Sequence, residues 1–385
     1  MRHHNSVFHQ ILKFVPWDRF DELVEHHDAD RRVRRLDTKS QFIALAYGQL
    51  AGAQSLREIE HGMASHAQRL YHLGAVKPAR STFADANAKR PAQMFVDLFA
   101  MMTMGASSGL RRHLREAVHL VDATSIRLTD LSSAWADYEA HGALVKLHVD
   151  FDVERSIPAN IAITPARVHD VSMAATMPIE PGSTYVFDLG YYDFAWWAAL
   201  EAAGCRFVTR LKKNTHPRQV LGCSVAAGSA AKSDRLVALD GRLKSARGAR
   251  HPLAGITVRE VVVTTDDGRE LRLLTNDLYA PAEEIGALYK ARWQVELFFR
   301  WIKQHLKIKR FLGTSENAVR IQIAVALIVF LILRMAAEAT RSTATLLTFA
   351  RLVRVNLMHL RTLIALDEPP PRIPPDPRQQ ELALC

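Results

Sequence analysis

The chain has 385 residues, 48% hydrophobic and 23% charged, a composition that can bury a substantial core and excludes global disorder. Lys and Arg outnumber Asp and Glu by 50 to 40, and the resulting formal charge of +10 suits a polyanionic partner, because each neutralised phosphate releases condensed counterions. Three cysteines, at 205, 223 and 385 with no Cys-x-x-Cys spacing, argue against a disulfide framework or a structural zinc site and fit a reducing compartment.

The N-terminal MRHHNSVFHQ has no apolar core of signal-peptide length, so a cytoplasmic location is expected. Residues 1–75 read as an N-terminal helical domain. It contains the charge cluster FDELVEHHDADRRVRR and a Ser-x-x-Glu cap at Ser55 to Glu58. A DNA-binding role suits it, with a purely structural role as the alternative. A helical connection, 76–115, follows a break at Lys77–Pro78.

From residue 117 the periodicity shortens. VHLVDATSIRL, LVKLHVDFDV, IPANIAITPARV and TYVFDLG are β-branched-rich runs bounded by turn residues. In 144–153 the alternation puts Val145, Leu147, Val149, Phe151 and Val153 on one face and Lys146, His148, Asp150 and Asp152 on the other, which is expected to be solvated. YDFAWWAALEAAG reads as a helix stopped at Gly204, with Trp196 and Trp197 in the core, and CRFVTRLK as a further strand. Strands, then a helix, then a strand describe a mixed α/β sheet.

Residues 213–270 read as a mostly β insertion that ends in a hairpin turning at Asp266–Asp267–Gly268. Helix returns over PAEEIGALYKARWQVELFFRWIKQHL, where Pro281 opens the first turn and Glu283 and Glu284 suit the positive end of the dipole. IAVALIVFLIL, at 323–333, is shorter than the roughly 20 residues of a membrane span and predicts a buried core helix, so no membrane partner is expected. The last segment, 341–385, reads as a helix and a Pro-rich tail.

Asp122 follows the apolar Leu120 and Val121, and Asp188 closes TYVFD. Carboxylates at buried strand ends need a partner or a cation, yet each alone is more readily a strand-end cap or turn residue than a ligand. In YKARWQVELFFRWIKQHLKIKR, residues 289–310, Tyr289, Arg292, Glu296 and Lys303 fall within roughly a 60° arc at helical spacing. Such a stripe is either a ladder of surface ion pairs or a polar wall that needs partners. Asp150 and Asp152 are rival acids, and His148 and His169 read as hydrogen-bonding groups rather than ligands.

The pattern Y-x2-R-x3-E-x6-K, with Trp293 after the Arg, resembles the signature of the IS4-type (IS-four) insertion-sequence transposases, DDE enzymes with an RNase H-like core. HLVDATSIRL resembles their first Asp motif and VFDLGYYDF their second. FVTRLKKN is similar to the strand that follows, and ARVHD at 166–170 to a further family element. The order, the gap of about 66 residues between the two Asp and the position of the insertion agree with the resemblance.

That resemblance implies an RNase H-like catalytic domain over 116–340, with Asp122, Asp188 and Glu296 as catalytic ligands of two Mg2+ (or Mn2+) ions. It also implies that Tyr289, Arg292 and Lys303 contact DNA. Arg210, Lys212 and Lys213 would add phosphate affinity. A flipped base is stacked on an aromatic residue in some relatives. The insertion contains no Trp, Tyr or Phe, which leaves Trp293 for that role. The implied partners are double-stranded DNA, both transposon ends and target, and a second copy of the chain in a synaptic dimer. An RNase H-like nuclease without strand transfer and an inactive DNA-binding descendant are the alternatives.

Overall fold

Ten strands form one sheet in the computed structural model, which describes residues 5–110, 117–128, 137–139, 142–225, 229–239, 251–265, 268–305 and 311–367. Seven helices precede it: α1 (Val7–Leu12), α2 (Trp17–His26), α3 (Thr38–Ala51), α4 (Leu56–Ala64), α5 (Ala67–Leu73), α6 (Arg80–Lys89) and α7 (Ala92–Leu110). The Ser55 cap forms as expected, accepting from Glu58 N at 3.1 Å while the Glu58 carboxylate accepts from Gln54 N at 2.8 Å. Within the helical connection expected over 76–115, α6 and α7 are separate helices, because Pro91 has no N–H to continue α6.

The chain then lays down β1 (Val118–Arg127), β2 (Asp137–Glu139), β3 (Gly142–Asp152), β4 (Ile157–Pro165), α8 (Asp170–Ala174) and β5 (Thr184–Phe187). A 3-10 turn at Leu189–Tyr191, α9 (Phe194–Ala202) and β6 (Arg206–Arg210) complete this part. β3 pairs antiparallel with both β1 and β4, while β5 and β6 run parallel to β1. The order β4-β3-β1-β5-β6 is the RNase H-like mixed sheet expected from the sequence.

The insertion contributes β7 (Arg218–Cys223), β8 (Ala231–Ala238) and β9 (Thr257–Thr264), and β10 (Glu270–Thr275) follows at its end. The insertion is β-rich as expected, and β10 pairs with β6, so all four strands extend the central sheet. These strands contain buried ion pairs instead of aromatics. Glu260, 0% exposed, is held by Arg235 at 2.7 Å and Arg272 at 2.6 Å, and Asp234 by Arg259 at 2.6 Å. Of the expected hairpin turn, Gly268 sits at φ +79°, and Asp266 and Asp267 lie outside the described residues.

After β10 come α10 (Ala282–Ala291), α11 (Trp293–His305), α12 (Glu316–Ala339) and α13 (Leu346–Asn356). The single helix expected over 281–306 is broken at Arg292. There, bonds from Arg292 N to Tyr289 O and from Val295 N to Arg292 O, both 3.2 Å, tighten the turn to an i to i+3 pattern. The apolar run expected as a core helix is the middle of the 24-residue α12. α12 is apolar enough to cross a membrane by composition, yet 83% of its apolar window is buried against protein. The residues around it come from α1, α3, α6, α7 and α13, so the N-terminal helices and the sheet share one hydrophobic core. The Pro-rich segment 368–385 and the end of the signature stretch, 306–310, lie outside the described residues.

Alternation along the strands splits the sheet between two helical layers. Leu120 and Val186 join the α11–α12 core, whereas Val121, Tyr185 and Phe187 join a second core with Trp196, Trp197 and Leu200 of α9. The polar face of β3 is therefore covered and not solvated. Asp150 and Asp152 are each 1% exposed. Asp150 is paired with His119 Nδ1 at 2.7 Å and Asn160 at 3.1 Å, and Asp152 with Arg155 at 3.1 Å, so burial leaves neither charge uncompensated.

Candidate active site

Asp122 and Asp188 lie on neighbouring parallel strands. Val121 of β1 pairs with Phe187 of β5, so the next residue on each strand is the acid. That position, at the carboxyl ends of parallel strands, is where open α/β sheets place ligand-binding groups. Asp188 leaves the strand as the cap of the 3-10 turn, its Oδ1 accepting from Gly190 N at 2.7 Å.

Glu296 comes from the other layer. Val295, Phe298, Phe299 and Ile302 bury α11, with the Phe298 ring 5.3 Å from Phe151 of β3 and 5.1 Å from Phe330 of α12. Across the tightened turn, Arg292 donates from Nη1 to Asp122 Oδ2 at 3.1 Å and from Nη2 to Glu296 Oε1 at 2.5 Å. One guanidinium thus joins strand and helix.

Burial pushes the Asp122 carboxyl up to about 6, against the bond from Ala123 N and the charge of Arg292, with Asp188 and Glu296 adding to the rise. Asp122 therefore feels both of the other acids. Among the described residues, however, no group of three His, Cys, Asp or Glu side chains is close enough to hold a metal ion as placed, and a guanidinium bridges Asp122 and Glu296. The donor set, hard carboxylate oxygens around a poorly compensated Asp122, fits a cation of the Mg2+ or Mn2+ class once that guanidinium moves away.

Tyr289 is buried beside Arg292, whose Cζ lies 5.9 Å from the ring centroid, and burial raises its phenol above the usual range. Arg210, at the end of β6, is close enough to act on the same phenol. Lys303 donates to Thr124 Oγ1, two residues beyond Asp122 on the same face of β1. Trp293 is 49% exposed at the start of α11, with Arg300 5.4 Å over its ring. Lys212 is directed onto the Tyr192 ring at 4.2 Å, and Lys213 is exposed. His169 stands at the N-cap position of α8 without a side-chain cap bond, and His148 is fully buried against Thr164.

Sequence reasoning missed Thr124, which the period-2 face of β1 could have revealed. It also missed the roles open to Asp170 and Tyr191, whose neighbours come from distant parts of the chain.

The model of a transposase DDE domain matches residues 114–332, more than half of the sequence. The chain belongs to the DDE transposases. Residues 3–76 match a second family, described as a domain of unknown function. A putative transposase of Sinorhizobium fredii is 39% identical over 299 residues, covering 77% of this chain and 82% of the relative. A probable transposase for an insertion sequence element of Geobacillus stearothermophilus is 30% identical, covering 83% of this chain and 87% of its own length. These matches agree with the insertion-sequence resemblance of the motifs. In overall shape, the piggyBac transposase of a synaptic complex with hairpin DNA aligns with 99% of this DDE transposase and 85% of its own chain. The two have a TM-score of 0.49 and 11% identity.

Proposed function

We propose that this DDE transposase, of the IS-four type, binds the terminal inverted repeats of its own element and hydrolyses the phosphodiester at each end. It then joins the freed 3′-OH ends to target DNA. The observation that supports this reading most directly is the placement of Asp122 and Asp188 at the ends of adjacent parallel strands, with Asp122 joined to Glu296 of α11 through Arg292.

In this reading Asp122, Asp188 and Glu296 would hold two Mg2+ or Mn2+ ions, which supply activation of the attacking oxygen and charge stabilisation of the leaving one. The protein's own residues position the DNA. Arg292 exchanges its carboxylate partners for a phosphate of the transposon end, to which its planar fork is suited, and this frees Asp122 and Glu296. Lys303 adds a point charge at the Thr124 end of β1. Tyr289, packed beside Arg292, restricts where the guanidinium can go. Trp293, exposed at the entrance, offers a stacking face for a base.

The segment 1–75 serves as the DNA-binding domain and 116–340 as the catalytic one, with a homodimer pairing two ends in the cytoplasm. The test uses duplexes bearing the inverted repeats that flank the gene. With Mn2+, purified protein should cut them, and pre-cut ends should be joined to a plasmid. Cutting without joined product would indicate a nuclease, and binding without cutting an inactive descendant.

A further inference from the structure

Beside Asp188, two buried polar atoms, His148 Nδ1 and the Tyr191 hydroxyl, have no hydrogen-bond partner among the described residues, and the buried Asp170 Oδ1 has only the ammonium of Lys146 at 3.0 Å. Buried orphans of this kind are rare in folded proteins, because each forfeits its solvation. These three come from β3, the start of α8 and the 3-10 turn, so their meeting is a product of the fold.

His148 and Tyr191 are both 0% exposed. His148 Nε2 is engaged by Thr164 Oγ1 at 2.9 Å, which leaves Nδ1 aimed at Asp170 Oδ1 across 3.7 Å, too far for a direct bond. Tyr191 lies within electrostatic reach of Asp170, Asp122 and Asp188, and burial raises its phenol so that it stays a neutral donor. Asp170 and Asp188 flank Gly190. A Cβ placed there would lie 3.2 Å from Asp170 Oδ2 and 2.9 Å from Asp188 Oδ1.

The charge balance says what such a bracket can take. Lys146 Nζ stands 3.0 Å from Asp170 Oδ1 and donates to Val168 O at 2.9 Å, so the Asp170 charge is already met. Burial pushes His148 down to about 4, leaving it uncharged at neutral pH. A further cation would gain little there, whereas one water could satisfy a phenol, an imidazole nitrogen and a carboxylate oxygen together.

We propose that Asp170, His148 and Tyr191 form a water-holding bracket that fixes the turn bearing Gly190 and thereby aims the Asp188 carboxylate, with Asp170 and Tyr191 acting as positioning residues. The link runs through the backbone: Tyr191 is bonded to Gly190, and Gly190 N–H holds Asp188 Oδ1. The proposal rests on the metal-dependent reading above, in which Asp188 is a ligand.

The experiment titrates Mn2+, followed by its paramagnetic resonance, into full-length protein bound to an end duplex, for wild type, Tyr191→Phe and Asp170→Asn. Outer-shell partners of metal ligands typically change metal affinity by about 10-fold or more. Each variant should therefore raise the Mn2+ midpoint by that order with its affinity for the duplex unchanged. Tyr191→Phe should also melt within a few degrees of wild type, since its hydroxyl is bonded to the fold only through water. A shift under about threefold in Tyr191→Phe overturns the proposal. A fall of about ten degrees or more in its melting temperature does so too, because the hydroxyl would then hold the fold and not only the turn. If Asp170→Asn fails to fold, Tyr191→Phe decides alone. A wild type that binds no Mn2+ removes the metal-dependent reading and this proposal with it.

Discussion

Arg292 Nη1 stands 3.1 Å from Asp122 Oδ2, and the same guanidinium reaches Glu296 Oε1 at 2.5 Å, so a fixed cation occupies the ground between two acids of the candidate site. The bond that Arg292 donates to Glu296 is an i, i+4 relation that periodicity shows, but the one it donates to a strand 170 residues earlier is a property of the fold. In the absence of DNA, Arg292→Gln should therefore bind Mn2+ more tightly than wild type, because a competitor for the carboxylates has gone. The same change should lower end cleavage by about two orders of magnitude, as expected when a group that orients a phosphate is lost. Calorimetry with Mn2+ and a cleavage assay check the two arms. Unchanged metal affinity would mean that the guanidinium does not compete for the acids.

The second prediction concerns pH. The Asp122 carboxyl, raised to about 6 chiefly by burial, binds its proton more tightly in the folded state than in the unfolded chain, where an Asp titrates near 3.9. Folded stability from this group is therefore greatest below the unfolded value and is lost as pH rises through about 6. At pH 7 the ionised, metal-free carboxylate costs about 1–3 kcal/mol after allowance for its partial exposure. Asp122→Asn, measured with chelator present, should melt higher than wild type at pH 7 to 8, with the gap closing below about pH 4. It should also abolish cleavage while leaving end binding intact. A variant less stable than wild type at pH 7 would show that Arg292 already compensates the charge.

How much of this could be read in advance differs from element to element. β1, β5 and the caps at Ser55 and Pro281 are local signals, carried by β-branched runs and by side chains that reach only a few residues along the chain. The Asp pair and the Tyr-Arg-Glu-Lys stripe were legible by motif, but that α11 starts anew at Arg292 was not, because a 3-10 link uses the same residues as a helix. Pairing of β10 with β6 joins segments separated by most of the insertion, and no periodicity records it. Asp150 illustrates the same limit. Alternation assigned it to the second face of β3 correctly, yet burial of that face depends on layers built elsewhere, and His119 is what makes the buried charge tolerable.

Gly190 provides a third test, independent of charge. Its backbone is not in the left-handed region, so Ala is allowed by conformation, but the added Cβ would lie 2.9 Å from Asp188 Oδ1 and 3.2 Å from Asp170 Oδ2. One carboxylate must give way. Gly190→Ala should leave the melting temperature within a few degrees of wild type and lower cleavage by about 10-fold or more, since an active site tolerates little displacement of its acids. Full activity in the variant would show that the Asp188 direction is not held at this turn.

The last prediction addresses the N-terminal helices. Between α2 and α3 the loop exposes Arg31, Arg32, Arg34 and Arg35 in sequence, with Arg32 at φ +59°. The loop is fastened from beneath. Asp30 Oδ1 accepts from Thr38 N at 2.8 Å and Thr38 Oγ1 at 2.7 Å, and the buried Arg90 donates to Leu36 O and to Gln41 Oε1 at 2.9 Å. Four cations on an anchored loop lose less freedom on meeting a phosphate backbone than four on a loose tail would. If 1–75 is the DNA-binding domain, changing all four to Ala should weaken binding to end duplex and non-specific duplex alike. The slope of log affinity against log salt should fall by up to about 3 to 4, roughly one unit for each phosphate no longer neutralised. Because these side chains are exposed, thermal stability should change little. An unchanged salt slope would mean that the loop neutralises no phosphate and would leave the helical segment 1–75 a structural role.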